Sequence, residues 1–157
     1  MNWVDDAIVL STRSYGETSV IVNLLTQKFG RHAGLVKGGK SARFRGVYQP
    51  GNKVRAHWKS RLSEHLGTFN CELTSANAAK FLSDPLKLAA LSSACSIIEF
   101  ALPDREKQEP IFSGLNILIA ALEKKNIWPN IYIRLELGIL KELGFELDLS
   151  SCAATGT

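Results

Sequence analysis

From Lys53 to Leu62 the chain alternates at a period of two. Lys53, Arg55, His57, Lys59 and Arg61 fall on one side, and Val54, Ala56, Trp58 and Leu62 on the other. An extended strand turns successive side chains to opposite faces, so this segment reads as a β-strand with one face in a core and the other basic. Four further β-rich runs lie around it: Ala7 to Arg13, Ser19 to Thr26, Arg31 to Lys37 and Leu66 to Leu73, separated by glycine-bearing turns. Five strands is the count of a small barrel.

The second half follows a different grammar. Asp84 before Pro85 forms an N-cap with proline in the first turn, and the apolar run to Leu102 is stopped by Pro103. Pro110 opens a segment with Ile111, Leu115, Leu118, Ile119 and Leu122 on one helical stripe. Pro129 opens another with Ile131, Leu135, Ile139, Leu140 and Leu143, closed by Gly144. Three helices are thus expected, and the fold class is α+β. The change of pattern falls across residues 74–83, which divides the chain into a strand domain (1–78), a helical domain (79–149) and a small polar tail (150–157). At 157 residues, 45% of them hydrophobic, the chain is long enough to bury a core. The richest apolar run, Leu88 to Leu102, is broken by Ser92, Ser93, Ser96 and Glu99, so no membrane span is expected. Asp5 and Asp6 stand where a signal peptide would be basic and then apolar, and the expected compartment is the cytoplasm.

Charge is divided between the halves. Residues 1–80 carry 12 Lys+Arg against 5 Asp+Glu, a net of +7; residues 81–157 carry 7 against 10, a net of −3. Between Lys28 and Arg61 ten cations follow one another without an acidic residue: Lys28, Arg31, Lys37, Lys40, Arg43, Arg45, Lys53, Arg55, Lys59 and Arg61. A solvated face mixes signs, whereas an uninterrupted run of one sign points to a polyanion. Arg13 with nine of these, Arg31, Lys37, Lys40, Arg43, Arg45, Lys53, Arg55, Lys59 and Arg61, is the candidate nucleic-acid site. Phe29, Phe44, Tyr48 and Trp58 interleave with the cations as possible stacking faces, although Trp58 lies on the apolar side of its strand and reads as core.

The same run contains a decoy. Residues 34–41, Gly-Leu-Val-Lys-Gly-Gly-Lys-Ser, match the phosphate-loop spacing G-x-x-x-x-G-K-[ST]. That motif works where a helix follows and aims its N–H groups at phosphates, but Gly46, Pro50 and Gly51 come within ten residues and the half has no crossover helices. A basic loop between strands is the better reading. His32, His57 and His65 have no metal-ligand spacing and read as surface or strand-face residues. Glu99, Glu123, Glu136, Glu142 and Glu146 read as solvated helix faces. Cys71, Cys95 and Cys152, odd in number and widely spaced, suggest reduced thiols rather than a disulfide framework or zinc site. No catalytic residue and no cofactor is expected.

Several blocks resemble a known family. They are Asp6-Ala7-Ile8-Val9-Leu10, Arg13-Ser14-Tyr15-Gly16-Glu17, Leu24-Leu25-Thr26 with Gly30, Lys37-Gly38, Arg134-Leu135-Glu136, and Leu140-Lys141-Glu142-Leu143-Gly144-Phe145 leading to Cys152. In content and order they are similar to the bacterial RecO recombination mediators. The resemblance implies an N-terminal five-stranded OB-fold β-barrel followed by an α-helical domain. It also implies a cytoplasmic, nucleoid-associated protein of DNA repair that binds single- and double-stranded DNA and anneals complementary strands. With RecR it would help load RecA onto DNA coated by single-strand-binding protein, so that RecA is an indirect partner, and none of these roles makes a covalent bond. Family chains are longer, and in some the further portion completes a four-thiolate zinc site. This sequence accordingly reads as a fragment or a shortened member. An OB-type RNA-binding module and, behind it, an NTPase using Gly34 to Ser41 are the competing readings.

Overall fold

In the computed structural model, which describes residues 1–124 and 127–145, the first half forms β1 (Asn2–Tyr15), β2 (Ser19–Thr26), β3 (Gly30–Val36), β4 (Lys53–Lys59) and β5 (Thr68–Ser75). They close into a barrel in the order β1-β2-β3-β5-β4. β1 pairs antiparallel with β2 through residues 7–15 and with β4 through residues 2–8, so this one long strand serves both neighbours. The register shifts between Val9 and Ser11. A parallel pairing of Leu35 with Thr68 joins β3 to β5. This is the OB-fold expected from the sequence.

The helical half comprises α3 (Pro85–Ala101), α4 (Glu109–Leu122) and α5 (Trp128–Glu142), preceded by the single turns α1 (Ala42–Arg45) and α2 (Asn77–Lys80). The local signals work as their chemistry requires. The Asp84 side chain accepts from the Lys87 N–H at 3.3 Å, supplying a partner for one otherwise unpaired donor of the first turn. At the end of α5, Gly144 takes a φ of 91°, its N–H donates to Lys141 O at 3.0 Å, and Phe145 N–H donates to Leu140 O at 2.8 Å. Those are the paired bonds of a glycine-terminated helix. The tail from Glu146 onward, with Cys152, lies outside the described residues.

Two cores result. Ala7, Val9, Val22, Leu24, Val54, Ala56, Trp58 and Phe69 fill the barrel. The second gathers the stripes of α3, α4 and α5 and includes Ile8, Leu10 and Leu25 from the barrel wall. Residues 7–10 and 24–25 are therefore buried on both faces, which is why they read as unbroken apolar runs rather than alternating ones. Each fully buried Leu or Ile contributes about 1.5–3 kcal/mol, so this shared cluster fixes α3 against β1 and β2. Glu99, expected on a solvated face, instead takes part in that docking: its Oε1 accepts from Ser11 Oγ at 2.6 Å and Asn23 Nδ2 at 3.1 Å. Leu62, expected in the core, lies beyond the end of β4 and is half exposed.

Candidate nucleic-acid interface

Where α3 crosses the barrel it leaves a cleft of about 830 Å3 over β1, β2 and β3, lined by Ser11, Arg13, Ile21, Asn23, Arg31 and Ala33. Its wall is Ser96, Glu99 and Phe100 of α3 with Asp104. A second cleft, of about 530 Å3, runs between β1 and the loop from β3 to β4; Thr12, Lys40, Phe44, Arg45 and Gln49 are among its lining residues. Both clefts include Ser11 and Ser96, so they adjoin at these two residues, and together they are the groove considered below. Arg13, Arg31, Lys40 and Arg45 stand along it, and Lys37 and Arg43 lie exposed on the same loop.

The ten candidate cations thus divide. Six belong to the groove and its loop. Lys53, Arg55 and Lys59 project from the outer face of β4, and Arg61 follows in the β4–β5 loop. The β4 strip is partly neutralised. Arg55 forms an ion pair with Asp6 at 2.9 Å and stands opposite Glu72 in the register.

Within the groove several cations also build the fold. Arg31 Nε donates to Leu102 O at 2.9 Å, Lys40 Nζ donates to Gly16 O, and Arg45 Nε donates to Lys40 O at 3.4 Å. Arg43 lies over the Phe44 ring at 5.3 Å. None of the six cations has an ion-pair partner among the described residues, and Arg13 and Lys37 make no side-chain hydrogen bond there either.

The loop has more structure than a plain basic connector. Ser41 precedes the one-turn helix α1, and Asn52 Nδ2 donates to Gly46 O and Val47 O. Tyr48 is packed in the barrel core, where its carbonyl accepts from Thr12 Oγ1 at 2.7 Å. The phosphate-loop decoy is accounted for geometrically: Gly34 sits inside β3, with the Phe69 ring occupying the space of a Cβ, and the Lys40 amine is turned to the β1–β2 turn.

Of the aromatics offered as stacking faces, Trp58 and Tyr48 are buried and Phe29 stacks on Trp3 at 4.3 Å, leaving Phe44 at the groove. His32 corrects the expectation of a surface histidine, since it is only 3% exposed inside the barrel. Burial, reinforced by Arg105, pulls its pKa down to about 4. Burial likewise pushes the thiols of Cys71 and Cys95 up to about 12. Sequence reasoning missed Phe100. It is 95% exposed at the rim of the groove, and the signal was its position two residues past buried Ile98, off the α3 stripe of Leu91, Ala94, Cys95 and Ile98.

Residues 1–77 match the family model of recombination protein O, N terminal, and residues 82–157 that of recombination protein O, C terminal. A DNA repair protein RecO from Rhodospirillum centenum is 54% identical over 156 residues, covering 99% of this chain and 62% of that protein. Those of Caulobacter sp. strain K31 and Mesorhizobium japonicum are 45% and 43% identical over 157 residues, which is 100% of this chain and 65% and 62% of theirs. The chain spans about three-fifths of the length of the curated relatives it matches.

Proposed function

The chain belongs to the RecO family of DNA repair proteins, and on that premise we propose that its groove holds single-stranded DNA for annealing, without catalysing a covalent step. The supporting observation is that two adjoining clefts, which meet at Ser11 and Ser96, are each lined by a pair of cations. A strand laid along them passes Arg45 and Lys40, then Arg13 and Arg31. Phosphate contacts of this kind bind any sequence and leave base edges free to pair. Neutralising one backbone lowers its repulsion for the complement, which is how a cationic surface accelerates annealing. The two carboxylates in the groove, Glu99 and Asp104, are both at the α3 end, so the loop end supplies the larger share of attraction.

Duplex DNA, RecR and single-strand-binding protein are the further partners in this reading, with RecA served indirectly through RecR. The proposed division of labour places the groove's cations on residues 1–78, with α3 supplying one wall, and partner docking on the rest of residues 79–149. Two complementary oligonucleotides, one with a fluorophore and one with a quencher, provide the test. The chain should speed annealing several-fold, and the variant carrying Arg13→Ala, Lys37→Ala and Arg45→Ala should lose most of that gain. An unchanged rate in the folded variant would remove the groove from the reaction. Equal acceleration of matched RNA strands would widen the substrate class beyond DNA.

A further inference from the structure

Phe100 is an expensive residue to leave in water. It is 95% exposed in the last turn of α3, although Ile98 and Leu102 on either side of it are buried. Its place is not arbitrary, because it stands in the wall of the same cleft whose floor carries Arg13 and Arg31. Arg31 is held there by its Nε bond to Leu102 O, so its two terminal nitrogens, which have no ion-pair partner among the described residues, are positioned rather than free to wander. Glu99 Oε1 is occupied by Ser11 and Asn23, and Asp104 Oδ2 lies 3.9 Å from Arg105 Nε, which tempers the two negative charges of this cleft. An aromatic face beside one guanidinium held in place, Arg31, and a second cation, Arg13, suits a ligand that has a flat apolar surface and an anionic backbone within one nucleotide of each other.

We propose that Phe100 is a stacking platform for one unpaired base of a strand whose phosphates lie against Arg13 and Arg31. The inference rests on the groove reading given above and adds to it a source of strand selectivity. Phosphate contacts alone scarcely distinguish single-stranded from duplex DNA, whereas a base inside a duplex already has both faces covered. Stacking on Phe100 therefore favours single strands, and it tolerates every sequence because each base has a π-face.

The test uses the 157-residue chain and its Phe100→Ala, Phe100→Trp and Arg13→Ala/Lys37→Ala/Arg45→Ala variants, with a labelled 20-nucleotide strand and its duplex measured by anisotropy. The exposed position makes Phe100→Ala neutral for folding, which circular dichroism verifies. It should weaken single-strand binding about tenfold and leave duplex binding unchanged, and Phe100→Trp should restore the affinity. In the parent chain, a 2-aminopurine placed in the strand should lose fluorescence on binding, and Phe100→Ala should abolish that loss. Should Phe100→Ala bind single strands as the parent does while the triple cation variant binds weakly, the platform is wrong and the groove stands. Equal weakening toward single strand and duplex also overturns stacking. If the triple cation variant binds as the parent does, the groove reading falls and the platform falls with it.

Discussion

Lowering the pH from 7.5 to 5 should cost the fold about 2 kcal/mol through one side chain, His32. The ring sits inside the barrel with Trp3, Trp58 and Phe69 at centroid distances of 5.2, 4.9 and 5.8 Å, and its Nδ1–H donates to Ala33 O at 3.0 Å. Burial, then the Arg105 guanidinium, hold the pKa at about 4 against the ordinary 6.5; the Ala33 bond and Asp104 oppose them only in part. Between those two values the unfolded chain binds a proton that the folded chain refuses, so stability rises with pH across this window. The loss begins as pH falls through about 6.5 and is complete near 4, where it reaches about 3 kcal/mol. Urea unfolding of the parent and of His32→Phe at both pH values isolates the effect, because the phenyl ring keeps the aromatic packing and cannot titrate. The variant should retain the 2 kcal/mol that the parent loses, over whatever background its carboxylates give to both. An equal pH dependence in the two proteins would refute the assignment.

Two further outcomes test the fold. Gly30 has a φ of 70°, and a Cβ there would overlap the backbone of Glu106, which the Arg105 N–H bond to Arg31 O at 2.7 Å keeps in place. Gly30→Ala should therefore lower stability by more than about 1 kcal/mol in thermal melts, and an unshifted melting temperature would contradict the close approach. Cys71 and Cys95, buried and with thiols held at about 12, should resist iodoacetamide at neutral pH until urea unfolds the chain. Peptide mass spectrometry showing rapid native labelling of either would overturn their placement.

How far the sequence spoke depended on whether the determining contact was local. The alternation at Lys53–Lys59, the cap at Asp84 and the glycine end at Gly144 all depend on neighbours a few residues away, and all are found where the pattern puts them. β1, in contrast, begins at Asn2 rather than Ala7 because barrel closure pairs residues 2–8 with β4, more than forty positions along the chain. Asp5, a poor strand residue by composition, is buried there because its carboxylate accepts from the N–H groups of Asp6 and Lys28. His32 was misread for a similar reason. Its companions on the inner face of β3 are Gly30, Gly34 and Val36, and glycines carry no apolar signal. The cations were legible as charges, but not their division into a groove and a partly neutralised strip, which follows from how the barrel wraps. Glu99 left its expected solvated face and Phe100 drew no expectation at all, because only the docking of α3 decides which of its faces meets the barrel.

The central claim is that the groove and its loop, rather than the β4 strip, carry the phosphates. Its most direct test is the salt dependence of single-strand binding in two variants. One replaces Arg13, Lys37, Arg43 and Arg45 by alanine; the other replaces Lys53, Lys59 and Arg61. Each phosphate neutralised contributes about 0.7 to the log–log slope. The groove variant should flatten that slope by as much as about 3, and the strip variant by less than about 1. A slope that flattens in the strip variant and stays fixed in the groove variant would contradict the account.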